Sequence, residues 1–236
     1  STDEVFGTVS GDGRFDHKSP YRPNSPYAAT KAAADHLARA WHVSMGLPVI
    51  FTHACNNFGP YQLPDKLIPR IITRAILGQE LPIYGNGLQE REWIWVDDHV
   101  RGLMAASKAG QPGAHYLFGG SSARTNLSVA RDICSRLDDL LPQSIFRPHN
   151  QLIKFVVDRP GHDQRYAVDS SRALDELSWS PKMSFEDGLA RTLLWHLDNR
   201  PWWEAHLQEA DMSTRIGLDN PAVASQQRTG GSVQGT

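Results

Sequence analysis

Residues 26–60 limit the fold more than any other stretch. PYAATKAAADHLARAWHVSM sets Ala28, Ala29, Ala32, Ala33, Leu37 and Ala40 at helical spacing in a run rich in the best helix former, and Gly46 and Pro48 end it. Pro48-Val49-Ile50-Phe51-Thr52 comes next, a short β-branched run that predicts a buried strand, followed by the polar stretch Cys55-Asn56-Asn57-Phe58-Gly59-Pro60. Helix, strand and polar loop is the order of a doubly wound α/β sheet, whose ligands lie beyond the carboxyl ends of its strands. Chemistry is therefore to be sought in the loops.

The rest of the chain alternates in the same way. Leu67, Ile68, Ile71, Ile72, Ala75 and Ile76 predict a helix. Trp93-Ile94-Trp95-Val96 predicts a strand, with Asp97 as N-cap of a helix carrying Val100, Leu103 and Met104. His115 to Phe118 is another short strand, ended by Gly119-Gly120. A helix with Val129, Ile133, Leu137 and Leu140, a strand from Ile153 to Val157 and a helix around Leu174 and Leu177 come after it. A last helix starts near Ser184 and runs to Trp195 or beyond, with Ser184 and Asp187 at capping-box spacing. Trp93, Trp95, Trp202 and Trp203 read as core or interface packing. From about Asp219 the tail is small, polar and glycine-rich, the composition of a disordered segment over 219–236.

With 236 residues the chain can bury one sizeable core or two modest ones. A formal charge of -2 argues against a broad nucleic-acid surface, so an anionic ligand would be held by a few placed cations. No apolar run approaches the roughly 18 residues of a membrane span, and no leader precedes the first motif. Cys55 and Cys134 are the two cysteines, far apart and without metal-type spacing, which fits a reducing cytoplasm and no metal site. The chain opens on STDEVFG rather than on Met, inside what reads as a functional loop, so a piece of something longer is expected.

Two groupings carry chemistry. Thr2, Asp3 and Glu4 put a hydroxyl and two carboxylates side by side, and adjacent strand residues point to opposite faces. Both acids can serve one ligand only where the strand has ended and the backbone turns. Tyr27 and Lys31 lie four apart and share one helical face. A neighbouring ammonium favours the phenolate, and a downward shift of about three units, worth about 4 kcal/mol, would make that base available near neutral pH.

Tyr27 and Lys31, preceded by Thr2-Asp3-Glu4 and followed by NNFGPYQLPDKLIP, PIYGNGLQEREWIWVDDHV and DRPGHDQRYAVD, resemble the extended short-chain dehydrogenase/reductase family, and within it the dTDP-glucose 4,6-dehydratase branch. The resemblance runs from Ser1 to about Leu218. It implies the C-terminal part of a doubly wound, Rossmann-like α/β domain over residues 1–57 and 92–119, and a smaller mixed α/β domain for a nucleotide sugar over 58–91 and 120–218. It also implies NAD as cofactor, a nucleoside diphosphate sugar as substrate, and a homodimer formed through helices that include the one bearing Tyr27.

By the same resemblance Tyr27 takes the C4 hydroxyl proton with Thr2 beside the reacting oxygen, Lys31 and Asn57 lie at the cofactor, Glu4 takes the C5 proton and Asp3 protonates the leaving C6 hydroxyl. Two neighbouring carboxylates oppose each other's ionisation, a physical reason for one to keep a proton. Asn56 would contact the sugar or its phosphates, and Lys66, Arg91, Asn126, Arg159 and His162 the diphosphate and nucleoside. Phe6 and Phe58 stand where the family commonly has Tyr, and Leu117 where Asn is frequent. The family's glycine-rich phosphate loop is not among the glycines of FGTVSGDGRF, whose spacing reads as a loop, and is expected upstream. An epimerase or uronate decarboxylase of the same superfamily would keep Tyr27 and Lys31 without needing the acid pair for water loss. A non-catalytic sugar-nucleotide binder remains the alternative of a different class.

Overall fold

Helix α1, Pro26–Met45, starts and stops on local chemistry: the Ser25 hydroxyl accepts from the Ala28 N–H, Pro26 occupies the first turn, and Gly46 closes the last turn in the left-handed conformation. These positions come from a computed structural model that describes residues 1–158 and 162–209, so the expected tail over 219–236 lies outside the described residues. Strand β1, Phe51–Ala54, begins later than the apolar run that announces it. Pro48 has no N–H to give a ladder, and the Val49 N–H turns back on Leu47 O; Val49 O takes the Gly113 N–H, and the regular ladder follows where Phe51 donates to Ala114.

The polar stretch after β1 is not all loop, because Asn56–Phe58 forms a short strand, β2. Beyond it lie α2, Leu67–Ile76, β3, Leu81–Tyr84, and β4, Glu90–Trp95. Helix α3, Val96–Ala109, is not capped by Asp97 as its sequence predicts. Trp95 holds the cap position, and Asp97 sits inside the first turn, where its carboxylate takes the Trp95 indole N–H at 3.0 Å and favours the positive end of the helix dipole. The chain continues through β5, His115–Phe118, β6, Ala123–Thr125, α4, Asn126–Leu140, and β7, Ile153–Val156. Three helices close the described chain: α5, Ser171–Leu177, α6, Phe185–Asp198, and α7, Arg200–Glu209. The expected capping box at α6 is half formed. Ser184 accepts from the Asp187 N–H at 3.0 Å, but the short Asp187 side chain takes the Ser184 hydroxyl at 2.7 Å.

β1 runs parallel to β5, and Ala54 also bridges Thr2 in parallel, which ties the first residues of the chain to the same sheet. β2 is parallel to β4, whose other edge takes β6 antiparallel, while β3 pairs in parallel with β7. This is the α/β architecture expected from the alternation of elements. One buried cluster joins α2, α4 and α6 to Phe58, Trp93 and Trp95; a second joins β1, β5, α3 and α5; a third is Val5, Phe6, Ala32, Leu117 and Val168. Trp203 is fully buried and donates its indole N–H to His196 O, and Trp202 faces Trp195 at 5.2 Å.

Gly120 marks the tightest approach between these layers. A Cβ there would lie 1.8 Å from the Trp93 carbonyl oxygen, so no side chain fits without prising the exit of β5 from β4. Gly120→Ala is expected to lower stability by about 2 kcal/mol, checked by urea denaturation of the two proteins.

Candidate active site

The acid pair lies in a turn, just past the bridge from Thr2 to Ala54. Thr2 is the last bridged residue and caps a single 3-10 turn, Asp3–Phe6, its hydroxyl accepting from the Glu4 N–H at 3.3 Å. Gly7 follows at φ 78°, where a Cβ would meet the Arg22 carbonyl at 2.4 Å. Within this turn Asp3 is buried and Glu4 half-buried. The Asp3 carboxyl is pushed up to about 8 by burial first, then by Glu4 and Glu92, against Arg91 and a weak bond from Thr2. Its Oδ2 has no hydrogen-bond partner among the described residues. A neutral acid with an unpartnered oxygen therefore stands beside a second acid, in the turn that follows the Thr2 bridge.

Tyr27 follows the cap of α1 by two residues and is 54 % exposed, with Lys31 one turn on. The expected depression of the phenol is absent in the protein alone. Burial and the Glu4 carboxylate raise Tyr27, Lys66 lowers it, and Asp3 raises it further. The same influences put Tyr27 within electrostatic reach of both acids and of Lys66.

The remaining candidates divide. Asn57 is fixed: its Oδ1 meets His99 Nδ1 at 2.9 Å, its Nδ2 donates to Cys55 O, and its carbonyl takes the Gln62 amide. Asn56 lies beside it in β2, opposite Trp93. Lys66 is exposed at the cap of α2 and pairs with Asp65 at 2.8 Å. Asn126 opens α4, its backbone N–H on Gln89 O and its side-chain Oδ1 buried without a partner among the described residues. His162 bonds Asp158 at 2.7 Å, and Asp158 in turn takes the Gln89 amide. Arg159 lies outside the described residues. Arg91 is more deeply set than a phosphate-binding surface cation: its guanidinium donates to Glu90 O and Asp163 O and stacks 4.4 Å over the Tyr166 ring.

Sequence reasoning missed the residues that hold this site together. Asp163 accepts from Thr8, Asn24 and Tyr166, and so ties the DRPGHD segment to the first loop and to the approach to α1. His99 was visible only as one letter of WVDDHV, and no spacing announced its bond to Asn57. Phe6, Phe58 and Leu117, the three departures from the family pattern, are core residues, Phe6 stacking on Phe15 at 5.2 Å and Phe58 meeting Trp95 at 5.7 Å.

The state of Asp3 gives a signed pH effect. The native protein keeps a proton on this carboxyl that an unfolded chain releases near pH 3.8, so the stability linked to it is complete below that value and lost as pH rises to about 8. Asp3→Asn cannot ionise. It is expected to melt above the wild type at about pH 9 and to lose most of that advantage at about pH 5, read by thermal unfolding at both.

Known proteins resemble this chain in sequence and in fold. The dTDP-glucose 4,6-dehydratase of Xanthomonas campestris is 46 % identical over 217 residues, covering 92 % of this chain and 62 % of that protein. The enzyme of the same name from Escherichia coli is 45 % identical over 230 residues, covering 92 % and 63 %. This chain thus spans a little over three-fifths of the length of the curated relatives it matches. Among solved structures, the Bacillus anthracis dTDP-glucose 4,6-dehydratase in complex with NAD superposes with a TM-score of 0.79 at 40 % identity, over 87 % of this chain and 63 % of that one. A UDP-glucuronic acid 4-epimerase from Bacillus cereus superposes at 0.74 with 28 % identity, over 84 % and 60 %. The resemblance read from Tyr27, Lys31 and the loop motifs is borne out. With its family model matched from residue 1 through residue 192, the chain belongs to the GDP-mannose 4,6 dehydratase family.

Proposed function

We propose that the protein is an NAD-dependent lyase that dehydrates dTDP-glucose to the 4-keto-6-deoxy sugar. One observation carries this reading over an epimerase: Asp3 is held neutral by burial next to Glu4, with an oxygen left unpartnered. Swapping a hydroxyl at C4 needs no such pair, whereas losing water across C5 and C6 needs a base for one carbon and a proton donor for the other. The names of the relatives at 45–46 % identity support the same substrate.

The donor set suits the cofactor. The open Tyr27 phenol, the Lys31 ammonium on the same helical face and the Asn57 amide fixed by His99 are the groups that would hold its nicotinamide end. When bound, NAD would supply the hydride acceptor for C4 and the hydride donor for C6, and the positive charge of its ring would favour the phenolate. Tyr27 takes the proton of the C4 hydroxyl, with Thr2 hydrogen-bonding near that oxygen. The ketone so formed acidifies C5; Glu4 removes the C5 proton, Asp3 gives its own to the departing C6 hydroxyl, and Glu4 returns its proton to C5 as C6 is reduced. Lys66, Arg91, Asn126, Arg159 and His162 hold the diphosphate and nucleoside, and Asn56 the sugar or its phosphates. Residues 1–57 and 92–119 form the cofactor side and 58–91 and 120–218 the sugar-nucleotide side, with α5 reaching back to pack on β5 and α3. Cys55 and Cys134, separate buried thiols, support a cytoplasmic setting; no helix among the described residues is long and apolar enough to cross a membrane.

A second copy of the chain is the partner we assign to α1. Leu37, Trp41 and Met45 recur every fourth residue along it and stand 61 %, 58 % and 82 % exposed.

Two measurements test these readings. In the full-length protein, dTDP-glucose is expected to yield the 4-keto-6-deoxy product. Tyr27→Phe should abolish oxidation, while Asp3→Asn should slow elimination about a hundredfold and oxidation far less. A C4 epimer as product, or equal slowing of both steps by Asp3→Asn, counts against the proposal. Trp41→Asp should turn a sedimenting dimer into a monomer, and a dimer that survives the charge places the interface elsewhere.

A further inference from the structure

Helix α1 has twenty residues and buries two of them, Ala28 and Ala32. Alanine has no side chain long enough to key a helix against its neighbours, so among the described residues apolar packing within the chain leaves the rotation of α1 about its own axis weakly set. That rotation decides where Tyr27 and Lys31 point. The same face continues one turn further to Asp35, because residues four apart stack along a helix.

One oxygen of Asp35 collects three groups from three other segments. Ser1 Oγ, next to the acid-bearing turn, donates to Asp35 Oδ2 at 2.6 Å, and Tyr21 OH does so at 3.0 Å. His53 Nε2, on β1, lies 3.3 Å from it and 2.8 Å from Tyr21 OH. The His53 side chain is fully buried and its Nδ1 has no partner among the described residues, the pattern of a neutral ring carrying its proton on Nε2. Against burial, these bonds hold the Asp35 carboxyl down at about 2, so an ionised acceptor meets neutral donors. Beside the cluster a cavity of about 230 Å³ opens between Tyr21, His36, Arg39 and His115, leaving space into which the helix could turn.

We propose that Asp35 is a positioning residue: by gathering Ser1, Tyr21 and His53 on one oxygen it locks the rotation of α1 and aims Tyr27 and Lys31 at the turn that carries Asp3 and Glu4. The inference rests on the reading of Tyr27 as the base for the sugar hydroxyl. A turn of α1 by about 10° carries an atom about 6 Å from its axis through about 1 Å, and a misplacement of that size costs about a hundredfold in rate.

The test uses the full-length protein with dTDP-glucose and its C4-deuterated form. Asp35→Ala should lower kcat about a hundredfold at unchanged KM for the sugar and raise the deuterium isotope effect, because the misaimed proton and hydride transfer becomes rate-limiting. Asp35→Asn, whose amide oxygen still accepts from Ser1 and Tyr21, should recover part of the loss. An isotope effect that stays put while activity merely follows the folded fraction overturns the proposal. Should Asp35→Ala fail to fold, Tyr21→Phe, which removes a single donor, is judged by the same two readouts. Amide hydrogen exchange over residues 27–35 judges the lock without turnover: faster exchange in the variant supports it, and unchanged exchange overturns it. Turnover retained by Tyr27→Phe would remove the catalytic reading alone, since the exchange result stands apart from it.

Discussion

A carboxyl group taken out of water without a cation on it gives up its charge, and at Asp3 this one constraint organises the site. The group is buried because Thr2 bridges Ala54 and the chain folds at once into a single 3-10 turn, so that the side chain enters the protein. Glu4 and Glu92 add their repulsion, and the nearest guanidinium, Arg91, donates to Glu90 O and Asp163 O. Neutral acid and neighbouring acid thus arise from geometry, not from residue type. Two aspartates or glutamates in an exposed turn would both be ionised and could not divide the work of donor and base.

The frame around this turn is polar where a helix bundle would be apolar. Glu92, fully buried, takes Arg14 at 3.1 Å and the N–H groups of Ser121 and Val168 at 2.8 and 2.9 Å, so one carboxylate joins the early loop, the Gly119-Gly120 turn and the segment after DRPGHD. Asp163 makes a second such joint with Thr8, Asn24 and Tyr166, and Asp35 a third. Each is a charge with several donors, which is how buried carboxylates are tolerated, and each connects segments far apart in the chain. The apolar clusters lie to either side: one under α2, α4 and α6, another between β5, α3 and α5. Packing supplies two stable walls, and hydrogen-bonded carboxylates set the loops between them.

The helix that carries Tyr27 belongs to neither wall. Its inner face is alanine, its outer face presents Leu37, Trp41 and Met45, and its position depends on a few polar contacts made from its ends and its middle. A surface helix held this way can present a phenol and an ammonium to a ligand on one side and an apolar stripe to a partner on the other.

Sequence alone determined the elements and the candidate chemistry. Alanine spacing, a Ser-Pro start and a glycine stop fix α1 by local forces, and Tyr27 and Lys31 share its face by helical period whatever surrounds them. Tertiary structure decided everything that depends on what lies opposite. Asp97 reads as a cap and is not one, because the Trp95 indole takes its carboxylate. The loop after β1 yields a strand because β4 offers it partners, and Tyr27 is raised rather than depressed because burial and then the charge of Glu4 disfavour its phenolate. No periodicity could announce that Asp163, His99 or Asp35 would hold the site, since each acts on residues many positions away. Propensity and spacing are properties of neighbours along the chain, whereas burial, field and hydrogen-bond satisfaction exist only once distant segments have met.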